Sequence, residues 1–331
     1  MNILVCGGAG YIGSHMCKRL ARAGHVPITF DNLSTGHEWA VKWGPLVRAD
    51  LLDPAAVAKV FREFPIDAVM HFAARSLVGE SMQNPGLYFR NNVTGTLNLL
   101  DAMREAKVDK LVFSSTAAVF GNPLYTPIDE AHACAPINPY GWSKLMAERH
   151  IEEYCRAHQM RAASLRYFNA AGADADGEIG EAHEPETHLI PNLIRAAIDP
   201  SAGPVKIFGN DYETPDGTCV RDYIHVEDLC DAHLLALDSL ASPGGFRAFN
   251  LGCGQGYSVA EVLAACRAQC NGGPEAEFVD RRPGDPDSLV ASSVAAASAL
   301  GWKPSRDLYS CVTTALAWHR RSSSQVQGET S

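Results

Sequence analysis

Ile3-Leu4-Val5-Cys6-Gly7-Gly8-Ala9-Gly10-Tyr11-Ile12-Gly13 is the stretch from which the fold of this chain can be read. A short apolar run, Ile3–Cys6, passes directly into glycines at 7, 10 and 13, and a helical pattern, Ser14–Ala23, follows. Glycine permits positive φ and lets the backbone approach a pyrophosphate. The start of the next helix offers unpaired N–H groups and the positive end of its dipole. Alone, such a motif is weak, and a tight turn without a ligand is the competing reading. Its context favours a dinucleotide site: strand before, helix after, and Asp31 about 20 residues on, closing a second apolar run, Ile28–Phe30. Asp31 would accept hydrogen bonds from adenosine ribose hydroxyls. Asn32-Leu33-Ser34 brings no Arg or Lys for a 2′-phosphate, so NAD is expected over NADP.

The same alternation continues outward. Pro45–Ala49, Ala68–Phe72, Leu111–Phe113 and Ala163–Tyr167 read as further strands. Pro54–Phe64, Leu87–Glu105 and Tyr140–Arg156 read as amphipathic helices between them. Strands that are continuously apolar belong to a parallel sheet covered on both faces, which predicts a doubly wound α/β (Rossmann) domain. After about residue 170 the pattern changes. Ala171–Glu186, rich in Gly, Ala and acids, reads as a surface loop. Ile190–Ile198 reads as a helix, Val205–Phe208 as a strand, and Phe249–Leu251 as a buried strand returning to the first sheet. The expected division is 1–170 for NAD binding, with return segments near 218–252, and 171–331 mainly for substrate, smaller and partly interleaved. The polar C-terminus from Ser322 onward is expected to fray.

Composition narrows the class. The 331 residues are 46% hydrophobic and 20% charged, ordinary for a globular protein and wrong for a coiled coil or a disordered chain. Lys and Arg number 28 against 38 Asp and Glu, a formal net charge of −10, so no nucleic-acid or anionic-membrane partner is expected. No stretch approaches a membrane span, and MNILVCGG lacks the features of a secretory signal. Ten cysteines lie scattered, without a CxxC pair or a Cys/His cluster at zinc spacing; reduced thiols in a cytoplasmic protein and no metal are expected.

A second constellation carries chemistry. Ser114-Ser115-Thr116 falls at the carboxyl end of the fifth strand, where parallel sheets place their ligands. Tyr140-Gly141-Trp142-Ser143-Lys144 follows, and residues i and i+4 share one helix face. A free phenol titrates near 10 and is a poor base at neutral pH. The Lys144 cation and a positive nicotinamide would favour the phenolate, Thr116 would orient the reacting hydroxyl, and NAD would carry hydride.

These residues resemble the site residues of the extended short-chain dehydrogenase/reductase superfamily. GGAGYIGSH at 7–15, DNLSTG at 31–36, SSTAAVFG at 114–121, PYGWSK at 139–144, RYFNAAGA at 166–173, DGTCVRDYIHV at 216–226 and RRPGD at 281–285 occur in order. Together they resemble the UDP-glucose 4-epimerase (UDP-galactose 4-epimerase) family over about residues 2–318. The resemblance implies an NAD-containing homodimer acting on a UDP-sugar. Tyr140 would take the proton of the 4-OH while C4 gives up hydride, the 4-keto sugar would swing over, and hydride would return to its other face. It also implies Tyr11 and Ile12 at the pyrophosphate, Asp31, Asn32 and Ser34 at the adenosine end, and Asp50 and Leu51 beside adenine. Phe72, Ala73, Asn91 and Phe168 would line the cofactor channel. Asn169, His188, Leu189, Phe208, Arg221, Tyr223, Arg282 and Asp285 would take the substrate, the two arginines suiting a diphosphate. The helices near Leu87–Arg104 and Tyr140–Arg156 would form the subunit contact.

Several positions depart from familiar members. Thr116 replaces Ser with the hydroxyl kept, Phe120 replaces Tyr, Ser76 stands where some carry Lys, and His188 where some carry Asn. Leu289 stands at the gate where a bulky Tyr restricts N-acetylated sugars. A UDP-pentose epimerase, or one also accepting UDP-GlcNAc and UDP-GalNAc, would use the same machinery. A 4,6-dehydratase needs an acid pair where Ala117-Ala118 stand. A net dehydrogenase would release NADH, and a non-catalytic NAD sensor would be expected to lack Tyr140 or Lys144.

Overall fold

Strand β1 (Asn2–Cys6) is buried from Ile3 onward. It is one of seven parallel strands covered by helices on both faces, which is why its residues need no polar alternation. The computed structural model describes residues 1–328 except 243, 271–272 and 283–284. Helix α1 (Tyr11–Arg22) follows β1, and β2 (Val26–Asp31), β3 (Leu46–Arg48), α2 (Pro54–Glu63) and β4 (Ala68–His71) come next. Short helices α3 (Val78–Gln83) and α4 (Pro85–Tyr88) lead through a π-helical turn at Phe89–Thr94 into α5 (Gly95–Ala106). Strand β5 (Lys110–Thr116), helix α6 (Pro139–His158) and strand β6 (Arg161–Tyr167) complete the first half.

The second half begins with β7 (Asn169–Ala171), α7 (Leu189–Ile198) and β8 (Val205–Phe208). It continues with β9 (Val220–Arg221), β10 (Tyr223–His225), α8 (Val226–Ser239) and β11 (Phe246–Leu251). Strand β12 (Tyr257–Ser258), α9 (Val259–Gln269), β13 (Ala276–Val279), β14 (Ser288–Leu289), α10 (Val294–Leu300) and α11 (Leu308–Gly328) end it. The large sheet has the order β11-β6-β5-β4-β1-β2-β3. Strand β11 does return to it, in register from Phe246 beside Ala162 to Leu251 beside Tyr167. This is the doubly wound parallel-sheet α/β fold that the sequence predicts.

Each face of the sheet has its own core. Met16 and Leu20 of α1 pack with Leu229 and Leu237 of α8 on one side. Val57 of α2, Leu99 and Met103 of α5 and Ile151 of α6 pack on the other. A third core joins Leu193 of α7, Val262 of α9 and Val312 of α11. Local chemistry sets the helix starts. Asp53 accepts from the Ala55 and Ala56 N–H groups, with Pro54 at the first helical position of α2. Asn138 and Pro139 do the same for α6, Asn138 accepting from the Gly141 N–H at 2.9 Å. Helix α6 is then fixed to β6 by the buried Glu148–Arg166 pair at 2.6 Å.

Leu87–Glu105 is helical throughout, as expected, with a π-helical turn at Phe89–Thr94 inside it. Two sequence expectations need correction. Ala171–Glu186 is not a solvated loop: Ala173, Asp174, Ile179 and Glu181 are buried. Its acids read as surface groups only because their partners lie far off in sequence; Asp174 meets Lys18 at 2.7 Å. Trp318 lies so close to Gly180 that a Cβ there would be 2.3 Å from the indole. Finally, the polar C-terminus continues α11 as far as Gly328, and residues 329–331 lie outside the described residues.

Candidate active site

The strand order reverses between β1 and β4, and a cleft opens at the carboxyl ends of those strands. Its volume is about 840 Å³, toward the upper end for a small-molecule site. The glycine turn forms its floor. Gly7 has φ +81°, and a Cβ there would lie 2.6 Å from the Ala73 nitrogen. A Cβ at Gly13 would lie 2.0 Å from the Gly7 carbonyl oxygen. Gly10, by contrast, would meet only that oxygen, at 3.4 Å. The turn therefore closes tightly against β4 and α1 while its middle stays open, a cradle fitted to a pyrophosphate. Asp31, buried at the end of β2, accepts from the Ala9 N–H at 3.0 Å and the Leu33 N–H at 2.8 Å. Burial raises its pKa, and those two N–H groups oppose the rise. Asn32 donates to Asp50 at 2.9 Å and accepts from the Ser34 N–H at 2.9 Å, so these residues, expected at the adenosine end, form one connected rim.

Deeper in the cleft, β5 and α6 bring the chemistry-bearing groups together. Thr116 accepts from the Ala118 N–H at 3.1 Å, and its hydroxyl acts on the neighbouring Tyr140 phenol, favouring the charged form. Lys144 is buried and donates to the Ser114 carbonyl at 2.8 Å, with its nitrogen 4.8 Å from the centre of the Phe113 ring. The expected lowering of the phenol pKa by Lys144 is not what the structure shows. Burial raises Tyr140, and the Thr116 hydroxyl alone offsets part of the rise. Burial also lowers Lys144 itself to about 7, against the pull of Glu148, which weakens the lysine as a source of positive field. Beside this group, the Ser114 and Tyr167 hydroxyls are hydrogen-bonded to each other.

The opposite wall comes from the second half. Arg221 of β9 pairs with Asp285, and Tyr212 reaches the same carboxylate at 3.3 Å. The Arg282 guanidinium lies 3.9 Å over the ring of Phe208. Tyr223 of β10 is in register with Asn169 of β7. His188 caps the start of α7, its Nδ1 on Glu181, and Leu189 follows it.

Every residue expected for catalysis, cofactor or substrate lines this one cleft, Gly7 and Asp285 at its extremes of sequence included. Residues 283 and 284 of the RRPGD motif lie outside the described residues. Two departures fall elsewhere. Leu289 does not line the cleft; it packs with the cluster of Phe120, Ile128 and Phe168. Phe120 belongs to that buried cluster, with the Arg166 guanidinium 5.3 Å from its ring. Neither substitution therefore changes a residue of the cleft wall. The sequence reading missed Arg75, His183, Arg195 and Cys219, which also line it. Arg75 adjoins Ser76, so a cation reaches the rim next to the position that lacks one. Arg75 had a usable signal in its place directly after the apolar run Ala68–Phe72, whereas His183 sat in a segment read as solvated.

The sequence profile of the NAD dependent epimerase/dehydratase family matches residues 3–252. A UDP-glucose 4-epimerase of Rhizobium meliloti (strain 1021) is 49% identical over 320 residues, 97% of each chain. The crystal structure of UDP-glucose 4-epimerase from Brucella ovis in complex with NAD is similar at a TM-score of 0.92 and 47% identity, covering 95% of this chain and 97% of that one. The Bifidobacterium longum UDP-glucose 4-epimerase in complex with NAD+ and UDP is similar at a TM-score of 0.93 and 36% identity, covering 97% of this chain and 98% of that one.

Proposed function

The chain belongs to the NAD dependent epimerase/dehydratase family, and from that premise we infer that it interconverts UDP-glucose and UDP-galactose by inverting the sugar at C4. The observation that carries the reading is the placement of Thr116, Tyr140 and Lys144 in the same cleft as the glycine cradle. NAD, when bound, would supply the reversible hydride chemistry at C4. Gly7, Gly10, Tyr11, Ile12 and Gly13 would hold its pyrophosphate, with Asp31 at the ribose.

Tyr140 takes the proton of the 4-hydroxyl and returns it after the sugar has turned. Thr116 favours the charged form of the phenol. Lys144, anchored on the Ser114 carbonyl, offers its remaining N–H donors to the same pocket. Arg221 and Arg282 suit the diphosphate and keep the nucleotide tethered while the sugar turns. The Phe208 ring, backed by Arg282, offers a flat apolar face to a base. Ala117 and Ala118 leave the carboxyl end of β5 without an acid, which opposes elimination of water as the outcome.

We assign residues 1–170 and the return segments near 218–252 to cofactor binding, and the remainder of 171–331 mainly to substrate. The exposed Trp142 and Met146 of α6, a helix beside α5, support a homodimer built on these helices. The ten free cysteines suit a reducing cytoplasm, and no helix among the described residues is long and apolar enough to cross a membrane. The test is incubation of the purified enzyme with UDP-glucose, UDP-galactose, UDP-GlcNAc, UDP-xylose and UDP-arabinose, with products resolved by NMR. Hexose interconversion without net NADH, abolished by Tyr140→Phe, is the expected result. Steady NADH accumulation, or turnover confined to the pentoses, overturns it.

A further inference from the structure

On the substrate side of the cleft, four side chains from one short segment converge. Glu181, His183, Glu186 and His188 each offer a nitrogen or carboxylate oxygen, and these atoms all lie within 4.8 Å of one another. The Nδ1 atoms of both histidines meet the same oxygen of Glu181, that of His183 at 3.0 Å. Glu186 Oε1 lies 3.7 Å from His183 Nδ1. Zinc bonds of about 2.0–2.1 Å at tetrahedral angles set ligand atoms roughly 3.3 Å apart, which is the scale of this cluster.

Three further observations point to a ligand. The Glu186 side chain is only 1% exposed, yet its Oε2 has no hydrogen-bond partner, and the Arg195 guanidinium stands 4.0 Å from it. Its Oε1 is held by the Thr187 and His188 N–H groups at 2.8 and 2.9 Å, so the carboxylate is oriented in advance. His183 and His188 line the cleft, which gives an ion a path in from solvent. Among the described residues a second such group contrasts with this one: Asp174, Asp176 and Glu178 surround the Lys18 ammonium at 2.5 to 2.8 Å, so a cation already stands at its centre. Two carboxylates and two imidazoles match a divalent ion in charge and form a donor set that suits zinc or its first-row neighbours, not magnesium.

We propose that Glu181, His183, Glu186 and His188 form a binding site for a divalent transition-metal ion of the zinc class in the wall of the cleft. The site does not depend on which sugar the enzyme turns over, and its test reads metal directly. The NAD-loaded enzyme is stripped with a chelator and titrated with Zn²⁺ against a chromophoric competitor. One ion per chain is expected, with binding weaker by about 100-fold or more in His183→Gln and in Glu186→Gln. Co²⁺ is expected to give ligand-field bands of nitrogen and oxygen ligation without a thiolate charge-transfer band. Circular dichroism establishes that the variants fold; should His183→Gln not fold, Glu186→Gln decides alone, and the cobalt spectrum decides on the unaltered chain. Undiminished binding in the folded variants, no binding at ~100 µM Zn²⁺, a thiolate band, or equal displacement by Mg²⁺ overturns the site.

Discussion

Thr116, which accepts the Ala118 N–H at 3.1 Å at the end of β5, favours the charged form of the Tyr140 phenol in the first turn of α6. Among the described residues it is the one neighbour that offsets the effect of burial on that phenol. Tyr140→Phe is expected to lower kcat by about 10²- to 10⁴-fold, the range for a lost general base. Thr116→Ser should stay within a few-fold of the parent. Thr116→Val should lower kcat by about 10-fold or more and move the rising limb of the kcat–pH profile upward, because the phenolate loses its donor. A Thr116→Val profile that keeps the parental pH dependence would refute this role.

Gly13 is where the cradle admits no side chain. A Cβ there would lie 2.0 Å from the Gly7 carbonyl oxygen, and both groups are backbone, so nothing flexible can give way. Gly13→Ala should strip bound NAD from the purified protein and destabilise it by roughly 2–4 kcal/mol. Cofactor content after denaturation and the shift in Tm check both. Gly24→Ala is a control: no atom lies within 4 Å of its added Cβ, although its φ of +79° still carries a conformational cost.

Arg221 and Arg282 are the arginines proposed for the substrate diphosphate, and they differ in support. Arg221 is buried against Asp285, whereas Arg282 lies across Phe208. Loss of a charge-assisted contact costs about 1.5–3 kcal/mol, so each Arg→Ala should raise KM for the UDP-sugar by about 10- to 100-fold with kcat changed less. Arg221→Ala also leaves Asp285 without its cation and should lower Tm; Arg282→Ala should not. Isothermal titration with UDP separates binding from turnover.

The parts of this fold legible in the sequence were those in which local pattern and tertiary environment agree. Ile3–Cys6 is continuously apolar because its strand is buried on both faces, and the glycines at 7 and 13 are fixed by close backbone approach. Tyr140 and Lys144 were legible because helix period alone puts them on one face. Ala171–Glu186 was misread because Lys18 and Trp318, which bury it, come from 150 residues before and 140 after. The raised phenol of Tyr140 could not be read from sequence either. It depends on how deeply the end of α6 is buried, and the same burial holds Lys144 near 7.

The last prediction concerns acid. His15, His225 and His233 are buried and lowered to about 4, and His71 to about 3, in each case because burial disfavours the cation. The unfolded chain therefore binds more protons than the folded one between those values and about 6.5, so stability rises with pH across that window and is lost as pH falls. At pH 5 each histidine costs about 2 kcal/mol relative to pH 8. Asp222, raised to about 6 by burial against three opposing N–H contacts, acts in the other direction, as do His183 and His188, which Glu181 holds above the ordinary value against the effect of burial. His71→Gln isolates one of the four. It removes a titrating group hydrogen-bonded to Thr96 at 3.0 Å while keeping a polar side chain of similar reach. The gap in Tm between pH 8 and pH 5 should be smaller in this variant than in the parent, whatever its Tm at pH 8. An unchanged gap would show that His71 takes up its proton without resistance from the core.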